Sequence, residues 1–302
     1  MHTTDLHSAV TDRIVSEIEK GGLLPWQKPW AVTRSNGIGI MPTNAATGRP
    51  YSGINIALLW FAAGDHGYPS HGWMGFKQAH DLGARVRAGE KSTSIVYATV
   101  LEKENEETEE TILQPIIRVH RVFNLAQIDN LPPHLCEPPA EVPAELTYQD
   151  ALRTLDGSGI KVEYRGDRAC YIPSVDIIRM PQAKAFQTEE AFFQTAFHEL
   201  THATGHKSRL DREFGKRFGD ERYAFEELVA ELGSAFLCAH HDIQPGNSSD
   251  ASYIAGWLKV LKQDKRAIFT AASHASKAAD WVREQAAKVV DCPAAREIQA
   301  SL

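Results

Sequence analysis

The chain has 302 residues, 43% apolar and 24% charged, an ordinary globular composition long enough for two domains. A net charge of −7 and a pI near 6.0 exclude a protein coated throughout in basic residues, but not a local basic patch. Cys136, Cys170, Cys238 and Cys292 form no CxxC pair and read as free thiols; no signal peptide or membrane-length apolar run is present, which predicts a cytoplasmic protein with no membrane partner.

In chain order, a helix beginning near Thr3 carries Val10, Ile14, Val15 and Ile18 on one side and stops at Gly21-Gly22. The stretch Leu23–Trp30 fixes Trp26 and Trp30 between prolines, and a loop then runs to Asn55. A short helix from Ile54 to Ala63 carries Leu58, Leu59 and Trp60, the last read as core. Trp73–Ala79 leads into a further helix. Val86 and Ser94–Val100 read as strands, the latter paired across the acidic turn Glu102–Glu110 with Ile112–Val119 and extended by Arg121–Asn124.

Charge is unevenly spread along this half. Between residues 20 and 101, Lys20, Lys28, Arg34, Arg49, Lys77, Arg85, Arg87 and Lys91 face only Asp65, Asp81 and Glu90, an excess of eight minus three, or +5. Among them stand Trp26, Trp30, Tyr51, Trp73, Phe76 and Tyr97. Cations neutralise phosphates and ring faces stack on unpaired bases, a pairing that suits single-stranded nucleic acid. Composition alone leaves a second possibility open, that these rings are simply core.

Leu131–Pro143 holds five prolines in thirteen residues and can continue neither a helix nor a central strand. It divides a first domain, 1–130, expected to fold alone, from a second, 145–302, with 131–144 as linker. Beyond it come a helix over Tyr148–Leu155, short strands at 160–164, 169–172 and 176–179, two helices, and two long C-terminal helices near 251–261 and 265–290. Strands before helices of this kind predict an α+β fold.

The first of those two helices contains His198-Glu199-Leu200-Thr201-His202. Residues four apart lie one above the other on a helix, so both imidazoles reach one metal ion, with Glu199 beside them to take a proton from water. Phe193, Phe197, Leu200 and Thr204 form the opposite, apolar face. A third protein ligand is needed. Ser208 stands where the metzincin pattern wants histidine. The following helix offers Glu227 and Glu231 on one stripe, with Glu226 pointing elsewhere. Glu227 is the favoured ligand and Glu231 the acceptor that orients a ligating imidazole; Glu231, Glu226 and His206 remain alternatives for the ligand itself. Such a set takes zinc, and also manganese or cobalt. Tyr223, Tyr253 and His206 are equal candidates for stabilising an oxyanion, with a packing role the favoured reading for each.

Several motifs occur in order along the chain. They are Leu24-Pro25-Trp26; Asn44 with Thr47-Gly48-Arg49-Pro50-Tyr51-Ser52-Gly53-Ile54-Asn55; Trp73 with Phe76-Lys77-Gln78-Ala79; and Gly89-Glu90-Lys91-Ser92. The second half adds His198–His202, Gly205-His206, Arg209-Leu210 and Glu226–Glu231. This series resembles the ArdC-type antirestriction proteins, whose N-terminal domain is similar to one in TraC-type plasmid primases. The resemblance implies two α+β domains, a single-stranded DNA-binding one and a zincin-like metallopeptidase of gluzincin type. It implies DNA contacts from Trp26, Lys28, Trp30, Arg49, Tyr51, Trp73, Lys77, Arg85, Arg87 and Lys91. It further implies zinc on His198, His202 and Glu227, Glu199 as catalytic base, a host protein as substrate, and protection of a mobile element's entering DNA from restriction.

Overall fold

The computed structural model describes residues 3–21, 24–27, 38–104, 111–136, 144–213, 221–244 and 251–290. Lys28, Trp30, the acidic residues 105–110 and residues 137–143 of the proline-rich stretch lie outside them.

The apolar stripe of helix α1 (Thr3–Glu19) is buried as Val10, Ile14, Val15 and Ile18. A 3-10 turn at Pro25–Gln27 leads to strands β1 (Thr43–Asn44) and β2 (Arg49–Pro50). Helix α2 (Ile54–His66) follows and closes on Gly67, whose φ of 63° lies in the left-handed region that glycine tolerates best. Its Trp60 is core, with the indole N–H donating to Ile40 O at 2.9 Å. Strand β3 (Gly72–Gly75) enters helix α3 (Phe76–Asp81), and β4 (Arg85–Val86), β5 (Thr93–Glu104), β6 (Thr111–Asn124) and β7 (Ile128–Asp129) complete the half. One sheet runs β2-β1-β3-β6-β5; the long hairpin pairs Thr93 with Val122 and Glu104 with Thr111, as the alternating runs about the acidic turn predict. A second, two-stranded sheet pairs β4 with β7.

The other half begins with helix α4 (Ala144–Gly157) and strands β8 (Lys161–Tyr164), β9 (Cys170–Ile172) and β10 (Ile177–Met180). Central β10 is parallel to β8 and antiparallel to β9, which leaves β9 at an edge. Four helices follow: α5 (Glu189–Thr204), α6 (Glu221–His240), α7 (Ala251–Gln263) and α8 (Ala267–Val290). Among the described residues no helix is long and apolar enough to cross a membrane.

Helix α6 is buried on most of its surface. It is enclosed by α5, α7 and α8, so Glu226, Glu227 and Ser234 are buried along with its leucines, while Phe225 is only half-buried. Its approach to α5 is close at one point. A β-carbon on Gly233 would sit 2.5 Å from Thr201 Cγ2, well inside contact distance.

The two halves are joined through a shared apolar cluster, and the first half has a smaller cluster of its own around Met74, Leu125 and Ile128. A single apolar cluster joins Val10, Ile14 and Trp60 to Phe236, Trp257 and Val282. Polar ties cross as well: Thr11 Oγ1 donates to Lys265 O at 2.8 Å, Ile40 N to Asp242 Oδ1 at 2.8 Å, and Gly53 N to Ser276 Oγ at 2.7 Å. A proline-rich break in sequence signals a loop; it does not say whether the flanking surfaces are apolar enough to fuse.

Two outcomes follow from this packing. A fragment ending at Asn130 uncovers the α1 and α2 faces, so it should show no cooperative thermal transition by calorimetry, whereas the whole chain melts in one. Gly233→Ala should destabilise the chain by about 1–3 kcal/mol in urea titration, because helix backbone must move to admit the methyl group.

Candidate metal centre

Thr188 caps α5, its hydroxyl accepting from Ala191 N at 3.2 Å, and Glu189 and Glu190 favour the positive end of the helix dipole. Ten residues on, the helix presents His198 and His202 together, their Nε2 atoms 3.2 Å apart. Glu227 faces them from α6. Its Oε2 lies 3.3 Å from His198 Nε2 and its Oε1 3.6 Å from His202 Nε2. One atom from each of the three lies within 4.8 Å of the other two, and among the described residues no other such group of His, Cys, Asp and Glu occurs. Glu227 Oε2 is buried without a hydrogen bond, a costly arrangement that a bound cation relieves. Two imidazoles and a carboxylate are suitable donors for zinc, manganese or cobalt.

The backing of these side chains differs from the sequence expectation. Glu226 does not point away: its Oε1 lies 3.2 Å from His202 Nδ1, the nitrogen opposite the cluster. Because α6 is buried nearly all round, neighbouring carboxylates can straddle one histidine. The buried Arg212 then grips Glu226 with Nη2 at 2.8 Å and Nε at 3.0 Å, and donates to Thr201 O and Thr204 Oγ1 at the end of α5. Arg212 sits in the loop after α5, and no sequence spacing marks it as Glu226's partner. Glu231 stands behind the other histidine, its Oε2 4.0 Å from His198 Nδ1.

Electrostatics reflect this crowding of acids. Burial alone would lower the His202 pKa, but hydrogen bonds to Glu226 and Glu227 outweigh it and raise the value to about 10. Burial would likewise raise the Glu227 carboxyl, yet His198 and His202 hold it well below the usual carboxylate range. The site is arranged around positive charge.

Glu199 is buried beside the cluster, and its Oε2 accepts from the backbone N–H of Tyr171 on β9 at 2.6 Å. Arg209 sets that register. It donates to Ala203 O near the end of α5 at 2.7 Å and to Asp176 Oδ2 in the β9–β10 turn at 2.9 Å, while Tyr171 O–H donates to Asp176 Oδ1. Between β9 and α6 opens a cleft of about 300 Å³ lined by His198, Glu199, His202 and Glu227 with Arg168, Tyr223 and Tyr253. Burial raises the Tyr223 pKa, and hydrogen bonds to Tyr253 and Glu227 add to the effect, so its hydroxyl stays protonated. His206 does not line the cleft, and its Nδ1 lies 2.8 Å from Ser208 Oγ. A larger cavity of about 510 Å³ opens behind Glu226 and Arg212, and among the described residues no metal-ligand group lies in it.

The nucleic-acid residues expected from the resemblance divide three ways. Lys28 and Trp30 lie outside the described residues. Trp26, Tyr51 and Trp73 are 2%, 6% and 0% exposed, so their faces are covered by the core and cannot stack on bases; the stacking assignment for them is corrected. Large rings beside glycines and prolines look like loop residues in sequence, yet here they anchor those loops. Arg49, Lys77, Arg85, Arg87 and Lys91 are exposed, with Arg87 engaged by Glu90 Oε1 at 2.7 Å and by Asp129 at 3.4 Å. Among the described residues of this half, rings that do reach the surface include Phe76, 62% exposed and next to Lys77, and Tyr97, 43% exposed, opposite Arg118 in the hairpin and edge-on to His120.

Comparison with known proteins accords with this division of the chain. Residues 4–123 match the family described as the N-terminal domain of anti-restriction factor ArdC, and residues 149–274 match a zincin-like metallopeptidase family. An uncharacterized protein of Sinorhizobium fredii, y4eC, is 37% identical over 291 residues, covering 93% of this chain and 92% of that protein. The DNA primase TraC of Escherichia coli is 36% identical over 293 residues, 91% of this chain but 20% of the primase. The crystal structure of metal-free antirestriction protein ArdC from plasmid R388 is 40% identical with a TM-score of 0.78, covering 94% of this chain and 98% of that one. Its Mn(II)-bound structure is 38% identical with a TM-score of 0.75, covering 93% and 98%. The chain belongs to the ArdC family of antirestriction proteins, with that family's N-terminal domain followed by a zincin-like metallopeptidase domain.

Proposed function

We propose that the protein binds single-stranded DNA entering with a mobile element, cleaves a host protein at its metal centre, and so protects that DNA from restriction. The observation that carries the enzymatic part is the meeting of His198, His202 and Glu227 at one point beside a buried Glu199. A zinc ion on those three ligands, or manganese or cobalt in its place, would supply a Lewis acid and lower the pKa of water there. Glu199, held at Oε2 by Tyr171 N–H, is placed to accept a proton from the attacking water. Tyr223, kept protonated on the opposite wall, can donate to the peptide oxygen as it gains charge. The neighbouring edge strand β9 offers an extended peptide a backbone to pair with.

For the nucleic acid, the exposed Phe76 and Tyr97 with Arg49, Lys77, Arg85, Lys91 and Arg118 support a surface on the N-terminal half. Phosphates meet the cations and unpaired bases meet the rings. One observation favours a second reading. The Glu199–Tyr171 bond ties β9 to α5, as a structural metal centre would require, and protection then comes from the DNA-binding surface alone. Glu199→Gln separates the two. It should keep its metal and lose about 10²- to 10⁴-fold in peptidase rate. Loss of DNA protection in cells supports the enzyme; full protection supports the shield.

The purified protein should carry about one divalent ion per chain, measured by elemental analysis, and His202→Ala or Glu227→Ala should remove it. Glu226→Gln should keep a site that binds metal about 10- to 100-fold more weakly, because His202 loses its orienting carboxylate. The same change leaves Arg212 buried without its counter-charge, at about 3–5 kcal/mol of stability. Full occupancy in His198→Ala/His202→Ala would overturn the assignment.

DNA binding should weaken with salt and favour single strands over duplex of equal length. Phe76→Ala and Tyr97→Ala should each reduce single-strand affinity, by about 1–3 kcal/mol if a base stacks fully, without lowering the melting temperature. Trp73→Ala should instead destabilise the fold by about 3–5 kcal/mol. Fluorescence anisotropy beside thermal melts distinguishes these outcomes.

A further inference from the structure

The 3-10 turn Pro25–Gln27 belongs to the N-terminal half, yet it reaches the far side of the metal cluster. Gln27 is buried, and its Nε2 donates to Glu231 Oε1 at 3.1 Å. The other oxygen of Glu231 is the one 4.0 Å from His198 Nδ1. The direction of the Gln27 amide is forced. Its Oε1 accepts from the backbone N–H of Leu24 at 3.1 Å, a group that can only donate, so the amide nitrogen must face Glu231. The turn is held in turn by its own backbone bond, Gln27 N to Leu24 O at 2.8 Å, and by the buried Trp26.

We infer that Gln27 is a positioning residue of the metal centre, acting from the N-terminal half through Glu231 on His198. The inference rests on the metal reading above. A histidine that ligates through Nε2 carries its proton on Nδ1, and the carboxylate facing that proton fixes the ring and strengthens its donor nitrogen. His202 has Glu226 for this purpose, locked by Arg212 within the same half. His198 has Glu231 behind it at 4.0 Å, within reach of a small ring shift, and a fixed donor on Glu231 comes from residue 27, 204 positions away in sequence. One ligand is thus oriented from inside the metallopeptidase half and the other from outside it. The N-terminal half helps to set the metal affinity.

The test is a set of four full-length chains: wild type, Gln27→Glu, Glu231→Gln and the double variant. Gln27→Glu is nearly isosteric and can still accept from Leu24 N–H, but it turns a carboxylate on Glu231 where a donor stood. Affinity for Mn²⁺ and for Zn²⁺ is measured by competition with a chromophoric chelator, and folding is checked by melting in excess chelator. Gln27→Glu is expected to weaken metal binding about 10-fold, with Glu231→Gln in the range of about 10- to 100-fold. In the Glu231→Gln background the Gln27→Glu change should cost little, because the side chains can again pair as donor and acceptor. A role in packing alone predicts the same loss in both backgrounds. Equal losses, or unchanged affinity in Gln27→Glu, overturn this inference while leaving the metal centre standing. Failure of the wild-type chain to bind either ion overturns both.

Discussion

The close packing of α5 on α6 is the constraint on which the rest of the structure depends. Gly233 lets the two helices approach at Thr201, one residue before His202, and that approach sets Glu227 opposite both histidines. Two helices at this spacing bury carboxylates that water would otherwise stabilise. Burying charge without compensation is expensive, so each acid must find a positive or hydrogen-bonding partner. Glu226 finds Arg212 and His202, Glu231 finds Gln27, and Glu227 is left with an oxygen that lacks a hydrogen bond. The same packing that crowds these acids makes the arrangement a suitable receptor for a cation.

Around that helix pair the fold adds two supports from different directions. Strand β9 is brought to α5 by the Arg209–Asp176 contact, and its Tyr171 amide fixes Glu199. From the opposite side the N-terminal half lays Trp60 against Phe236 of α6, ring centroids 6.0 Å apart, and sends Gln27 to Glu231. Joining the halves through a common core has a consequence for function. The basic N-terminal surface and the cleft beside the two histidines are parts of one packing arrangement, so neither half is expected to behave as an interchangeable module. Rigid support of this kind favours a metal site, because ligand orientation errors of a fraction of an ångström weaken binding.

The N-terminal surface illustrates how aromatic residues divide their roles. Trp26, Tyr51, Trp60 and Trp73 supply the large apolar areas that hold short strands and loops in place, whereas Phe76 and Tyr97 remain in solvent beside cations. That distinction cannot be made from residue type, since both groups lie among the same glycines, prolines and basic residues.

Much was legible in the sequence by itself. The i, i+4 histidines with Glu199 between them, the hairpin about the acidic turn, the apolar stripe of α1 and the core position of Trp60 all follow from local periodicity, which a helix or strand expresses wherever it packs. So does the ordering of strands before helices that marks the α+β second half. Tertiary structure alone decided which carboxylate stands behind which histidine, because Glu226, Glu227 and Glu231 share one helix and the choice depends on what surrounds it. It also decided that Trp26, Tyr51 and Trp73 are core, that one apolar cluster draws on residues from both sides of the proline-rich break, and that Gln27 reaches Glu231 while Arg212 reaches Glu226. Each of these depends on contacts between residues distant in the chain, and no spacing along a helix or strand encodes them.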